Sequence, residues 1–457
     1  MKKTEMTLTD GNLFKKIILY SLPVIFTNLL QLFYTSADLI VCRMFGSSNS
    51  TAAITSTDSL VKLIINLFMG LSIGANVLMA RSYGQNDRNK AHRVMYTSMI
   101  ASLVVGLAVG LFGVLASGYL LRLMDCPIEV IDLSTEYLKI YFIGLPFLMI
   151  YNFGAALLRA TGDTVKPFII LALSGIVNVL FNLLFVIVFK MDVPGVALAT
   201  IISEALSAVA IVVALMRNKG FVSFSLKDMR FHMAEALEIA KIGLPAGIQS
   251  SLFSLSNVMI QSSINGLGVN VTGGNGASNS LEGFIYTAMN SVSLSCVAFV
   301  SANYGAGNKK NILKSLLYSL VASAGVALLI GGGIVLFQDQ LINLYVKAPE
   351  QIAWAKERLN TLALLYFICG IMDCVPLAIR GIGYSITPMI VSLIGVCGFR
   401  VIWIYGVFNN PKWHSYKTLI ISYPITWVLT SIVHIIIFTV LFSRLNLNKT
   451  VKDLALE

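Results

Sequence analysis

Charge is scarce in this chain. Asp, Glu, Lys and Arg make up 12% of its 457 residues, against roughly 25% in an ordinary soluble protein. That deficit excludes a globular domain wetted on all sides. Histidine is rarer still: His92, His232, His414 and His434 are the only four, and they form neither a metal-spaced pair nor a Ser-His dyad. The six cysteines include no Cys-x-x-Cys pair and read as small apolar residues, not as a zinc site or disulfide framework. No phosphate-cradling lysine follows a glycine-rich loop, so ATP hydrolysis is not expected. Gly273-Gly274-Asn275-Gly276 reads as a flexible external loop. With no catalytic constellation in view, the chain is expected to be neither an enzyme nor a holder of a resident cofactor. The net charge of +11 does not imply nucleic acid, because Lys and Arg punctuate apolar segments instead of forming one patch. Lipid headgroups are the expected partner for that pattern.

What is abundant is apolar: 56% of the chain. About 20 apolar residues suffice to cross a bilayer, and twelve such runs are present. They lie near 17–41, 59–81, 94–118, 137–158, 167–189, 194–216, 239–267, 279–302, 312–337, 357–379, 387–408 and 418–442. In lipid the backbone must satisfy its own hydrogen bonds, which makes each run a helix. No cleavable signal is visible, so the first run reads as a retained span. The expected fold is all-α and integral to the membrane.

The second half echoes the first at an offset of 221 residues. Tyr83-Gly84 recurs as Tyr304-Gly305, and Arg159-x-x-Gly162-x-x-x-x-Pro167 as Arg380-x-x-Gly383-x-x-x-x-Pro388. Leu22-Pro23 recurs as Leu244-Pro245, one residue out of step. Residues 1–218 are therefore expected to form a first lobe of six spans, 219–238 a basic linker carrying an amphipathic helix, and 239–457 a second lobe. Repeats of this kind place a substrate site at their interface in many transporters. Of the 33 Lys and Arg, 22 fall on the side of the N-terminus, among them Lys2, Lys3, Lys219, Lys449 and Lys452. Nine fall on the opposite side, including Lys356 and Arg358, while Lys62 and Arg400 lie within spans. Both termini are thus expected in the cytoplasm of a multi-pass cell-membrane protein.

Ionisable groups inside spans are expensive and mark function by default. Gln31, Tyr34 and Asp38 follow an i, i+3, i+7 spacing on one face of the first helix. Asn178 and Asn182 sit one turn apart on the fifth span, and Thr200 and Glu204 one turn apart on the sixth. A carboxylate joined by amide and hydroxyl oxygens is a ligand set for a hard cation. Asp38, Asn178, Asn182 and Thr200 are therefore expected to bind a cation, sodium or a proton. Sodium would rest on Asp38, Asn178 and Asn182. Glu204, Glu282, Asp373 and Arg400, with Gln31 and Tyr34, are expected to line a substrate cavity. Asp373 against Arg400 reads either as a structural ion pair or as a protonatable site. Val258, Met259 and Ile260 stand where a second-half counterpart of Asp38 would be, so the two halves do different chemistry. The 17 methionines and 46 aromatics suit bulky, variable ligands and organic cations.

These residues resemble the multidrug and toxic compound extrusion (MATE) family over nearly the whole chain. The resemblance rests on Leu-Pro early in spans one and seven, on Asn303-Tyr304-Gly305-Ala306, and above all on Arg380-Gly381-x-Gly383-x-x-x-x-Pro388 with its partner at 159–167. It implies two six-helix bundles around a V-shaped central cleft. It also implies export of organic, often cationic, compounds driven by sodium or proton entry. Asp38 matches the family's first-helix carboxylate, Asn178, Asn182 and Thr200 match positions completing that cation site, and Gln31 and Tyr34 match cavity positions. Asp373 matches a tenth-helix acid of one branch. The glutamate that this branch carries in helix seven has no counterpart in Ile248-Gln249-Ser250-Ser251-Leu252-Phe253-Ser254. Small organic molecules and membrane lipids are the expected partners, and a monomer the expected state. The alternative is a flippase of a lipid-linked saccharide, which would want more basic groups than Lys62 and Arg400 inside its spans.

Overall fold

The apolar runs satisfy their backbones as helices. The computed structural model describes residues 6–445 except 48, 125, 219 and 222, and of residues 35–37, 39, 43 and 51 the backbone alone. Lys2, Lys3, Lys219, Lys449 and Lys452, which weigh in the topology reading, lie outside the described residues.

The first half runs α1 (Leu13–Phe45), α2 (Ser50–Gln85), α3 (Arg88–Leu123), α4 (Ile131–Ala160), α5 (Val165–Leu183) and α6 (Asp192–Met216). A π-helical turn, Leu184–Val188, ends α5. The second half runs α7 (Met233–Asn265), α8 (Val269–Gly305), α9 (Lys309–Leu336), a short α10 (Gln338–Ile342), α11 (Pro349–Leu362) and α12 (Tyr366–Gly381). There follow α13 (Ile386–Ser392), α14 (Phe399–Trp403) and α15 (Tyr416–Arg444). Two π segments, Leu393–Gly398 and Ile404–Phe408, flank α14. Among the described residues there is no β-strand.

Eleven helical stretches among the described residues are long and apolar enough to cross a membrane. The twelfth expected span, α7, has the length but not the hydropathy, because Gln249, Ser250, Ser251, Ser254, Ser256 and Asn257 interrupt it. In the linker the described residues show a 3-10 turn, Leu226–Asp228, and then from Met233 the opening turns of α7, where a separate amphipathic helix was expected. The Gly273–Gly276 stretch is no external loop either, for it lies inside α8. A Cβ on Gly274 would stand 2.4 Å from the Gln351 carbonyl oxygen and 2.7 Å from Trp354 Cβ. The glycines thus let α8 lie directly against α11.

Helix capping explains the sequence repeat. Gly162 and Gly383 end α4 and α12 at φ +91° and +112°, a conformation that penalises any Cβ. Their amides bond back to the Arg159 and Arg380 carbonyls at 3.0 and 2.9 Å. Likewise Asn86 (φ 56°) and Gly307 (φ 70°) follow the two Tyr-Gly pairs. Asp87 and Asn308 then cap α3 and α9 by accepting from Lys90 N at 2.9 Å and Asn311 N at 3.1 Å.

The chain divides into two compact units, but not at the linker. Residues 26–244 belong to the first unit, and residues 8–25 with 245 onward to the second. The division falls within α1 and α7, close to Pro23 and Pro245, which interrupt those helices' hydrogen bonding. The opening turns of α1 accordingly pack in the second unit, where Ser21 Oγ donates to Ser295 Oγ at 2.8 Å and the Tyr20 and Phe299 rings meet edge-on at 5.4 Å. The opening turns of α7 pack in the first unit through Arg93–Glu235 (2.5 Å) and Lys90–Glu238 (3.6 Å).

Burial pushes the Glu235 carboxyl up, but the Arg93 hydrogen bond and charge outweigh it, so the group titrates below the ordinary glutamate value. A depressed folded pKa gives stability that is complete above the unfolded value, about 4.3, and lost as pH falls through the folded one. Wild type should therefore melt higher than Glu235→Gln near neutral pH, with the gap closing on acidification below pH about 4. Parallel melting curves at every pH would show that the pair anchors nothing.

Candidate functional site

In the first unit, α1, α5 and α6 bring four of the expected residues into one chain of hydrogen bonds. Asn182 Nδ2 donates to Asp38 Oδ1 at 2.5 Å and to Asn178 Oδ1 at 3.2 Å. Asn178 Nδ2 donates to Thr200 Oγ1 at 3.4 Å, and that hydroxyl donates to the Val196 carbonyl at 3.0 Å. The 178/182 spacing stacks both amides on the buried face of α5, along with Ser174 and Gly175. The π-helical turn begins directly after them, widening the helix where π turns are often functional. Asn182 is fully buried, and its Oδ1 has no hydrogen-bond partner. A buried carbonyl oxygen without a donor is costly and is free to ligate a cation.

The surroundings are apolar: Val41, Cys42, Val186, Val193, Val196 and Ala197 are buried in one cluster with the rings of Tyr137 and Tyr141. Low polarity strengthens any charge–charge interaction at Asp38. Glu204 shares that neighbourhood and feels the Asp38 charge. Its Oε2 lies against Gly144, where a Cβ would come within 3.0 Å. Glu204 makes no side-chain hydrogen bond to the Asp38 chain.

Tyr34 lies flat on α5. Its hydroxyl donates to the Ala172 carbonyl at 3.2 Å, and its ring fills the place of a Cβ on Gly175, 1.7 Å away. Gln31 is partly buried on α1, about one turn before Tyr34.

The second unit is built differently. Glu282 is 1% exposed, so it does not line an open cavity. Arg358 grips it through Nε and Nη2, each at 2.8 Å, and Tyr366 adds a third hydrogen bond at 3.0 Å. Arg358 Nη1 reaches Asn275 Oδ1 at 2.7 Å, which also accepts from Tyr416 at 3.0 Å. From sequence, Arg358 counts with the external side, at the edge of the run 357–379. The missed signal is periodic: Ala355, Arg358, Leu359 and Leu362 share one buried helical face.

Asp373 and Arg400 do not pair, and no ion pair joins them among the described residues. Asp373 Oδ2 accepts from Asn290 Nδ2 at 3.1 Å and is bonded by Tyr286. Arg400 Nη1 donates to Asn257 Oδ1 at 2.8 Å, with its Cζ 4.2 Å from the Tyr423 ring centroid. Lys62 pairs with Asp58 at 2.6 Å on an exposed face. Asn257, Asn290, Tyr286 and Tyr423 were invisible as partners because lone polar residues on apolar helices carry no spacing signal.

One family model, MatE, matches the chain twice, over residues 23–184 and 245–405. The chain belongs to the MatE family. It is a multi-pass membrane protein of the multidrug efflux class, whose members are transporters. It is 28% identical over 389 residues to the "Probable multidrug resistance protein YpnP" of Bacillus subtilis (strain 168), covering 84% of this chain and 86% of that one. Identity to the "Probable multidrug resistance protein YoeA" of the same organism is 24%, covering 85% and 86%. A solved MATE structure in the straight conformation is 22% identical, with a TM-score of 0.90 over 98% of this chain and 99% of that one. At that identity the likeness is one of fold. The all-helical MATE architecture expected from the twelve runs and their repeat is therefore the one this chain has.

Proposed function

We propose that this MatE-family protein is a cation-coupled antiporter that exports organic compounds, cationic ones among them, by alternating access. The observation that carries the reading is the Asp38–Asn182–Asn178–Thr200 chain with its unbonded Asn182 oxygen. One carboxylate with neutral amide and hydroxyl oxygens suits a hard monovalent ion, and the amide-rich set favours sodium over the proton. The ion is a transported species and not a resident metal. When it enters, Asp38 supplies the charge, and Asn178, Asn182 and Thr200 supply oxygens once their side chains turn. Ion binding favours one access state and cargo the other, each by no more than its differential affinity. The protein would work as a monomer in the cell membrane with both termini cytoplasmic. The comparisons do not favour a lipid-linked-saccharide flippase.

Proteoliposomes test this. Ethidium transport should follow an imposed sodium gradient, or failing that a pH gradient, and collapse when that gradient is removed. Equal transport without either gradient would rule out coupling.

A further inference from the structure

The second unit holds a buried positive charge that no acid among the described residues pairs with. Around the Tyr423 ring stand two guanidiniums, Arg400 at 4.2 Å and Arg358 at 5.2 Å, and Arg358 already holds the Glu282 carboxylate bidentately. Arg400 is 4% exposed. The groups facing it from every side are neutral: Asn257 on α7, Tyr366 and Cys369 on α12, Cys397 on the π segment, and Tyr423 on α15. Cys369 feels the charges of both Asp373 and Arg400, and Asp373 is already bonded by Asn290 and Tyr286.

The guanidinium is also half used. Nη1 is taken by Asn257, while Nε is buried without a partner and Nη2 makes no hydrogen bond among the described residues. The Nε–Nη2 edge is the one that Arg358 presents to Glu282 with two bonds of 2.8 Å. An uncompensated buried ion is strongly disfavoured, and a planar guanidinium edge is shaped for the two oxygens of a carboxylate or phosphate. The backbone here is also unusual. Arg400 sits on a five-residue α segment between two π segments, whereas the first half has one π turn among its described residues. Such turns recur at functional sites.

We propose that Arg400 is an anion-recognition residue: its free Nε–Nη2 edge takes the carboxylate or phosphate of a small organic cargo, with the Tyr423 ring packed against the guanidinium. This rests on the reading that the chain carries organic cargo, and it extends that cargo from cations to compounds bearing an anionic group. It does not depend on where the coupling ion binds.

Fluorescein and rhodamine 6G share a xanthene ring but differ in charge, and fluorescence anisotropy reads the binding of each to the full-length protein in detergent without any ion gradient. Arg400→Gln should weaken fluorescein binding about tenfold or more, the loss of a charge-assisted bond, and leave rhodamine 6G unchanged. Arg400→Lys, which keeps the charge but not the fork, should fall between. Benzoate and phenyl phosphate should displace fluorescein from wild type and spare rhodamine 6G, a comparison that holds even if Arg400→Gln does not fold. Equal fluorescein affinity in wild type and Arg400→Gln would overturn the proposal, as would wild-type fluorescein binding indifferent to both competitors. Failure of ion coupling at Asp38 would leave all these readings in place.

Discussion

Asp38→Asn should abolish ion-driven export while the protein still folds and inserts. Asparagine has nearly the shape of aspartate and keeps an oxygen for the Asn182 Nδ2 that now donates to Asp38 Oδ1 at 2.5 Å. What it removes is the one negative charge of the chain formed with Asn182, Asn178 and Thr200. A neutral site has little reason to prefer a cation, so ion binding no longer biases the two access states. Coupling between two ligands typically amounts to about 5- to 150-fold. That factor should vanish from gradient-driven accumulation. Exchange of labelled for unlabelled cargo at zero gradient should persist, since it needs no ion. Asp38→Asn vesicles that still concentrate cargo against its gradient would place coupling elsewhere, with Glu204 and Asp373 the next groups to neutralise.

Glu282→Gln should be the most damaging single change to the second unit. It leaves the Arg358 guanidinium buried, 3% exposed, with no counter-charge. Breaking a buried pair on one side costs about 3–5 kcal/mol, a large share of the 5–15 kcal/mol or so that holds a typical domain. Tyr366 also loses its charged acceptor. The double change Glu282→Leu with Arg358→Met removes both charges, and apolar replacements of buried pairs are often neutral or stabilising. The detergent-solubilised double variant should therefore melt well above the single variant. Melting of the single variant at the wild-type temperature would mean that the pair is hydrated and structurally idle. The same two carboxyl oxygens explain why Glu282 cannot serve as an open cavity acid: Arg358 and Tyr366 occupy them.

The sequence carried the membrane architecture because lipid leaves the backbone few choices and because the caps at Gly162, Gly383, Asp87 and Asn308 repeat at a fixed offset. It carried the first-unit site for a similar reason. Asp38, Asn178, Asn182 and Thr200 interrupt strongly apolar helices, and the two amides stand one turn apart. It failed where polarity and burial part company. Arg358 counts with the external side at the edge of a run, yet α11 turns it inward. Gly273–Gly276 looks like a loop, yet it lies inside α8, where Gly273 and Gly274 let α11 come close. The pairing suggested for Asp373 and Arg400 followed from charge alone, whereas Asn290 and Asn257, each a lone amide, took those partners. The unit boundaries inside α1 and α7 were hidden as well, since a helix that changes packing partners midway looks continuous in sequence.

Equilibrium ion binding to the purified protein tests the central claim most directly. Wild type should take up a single cation, labelled sodium or a proton, that Asp38→Asn does not take up, and Asn182→Ala should weaken it. Identical sodium and proton uptake by wild type and Asp38→Asn would contradict the account.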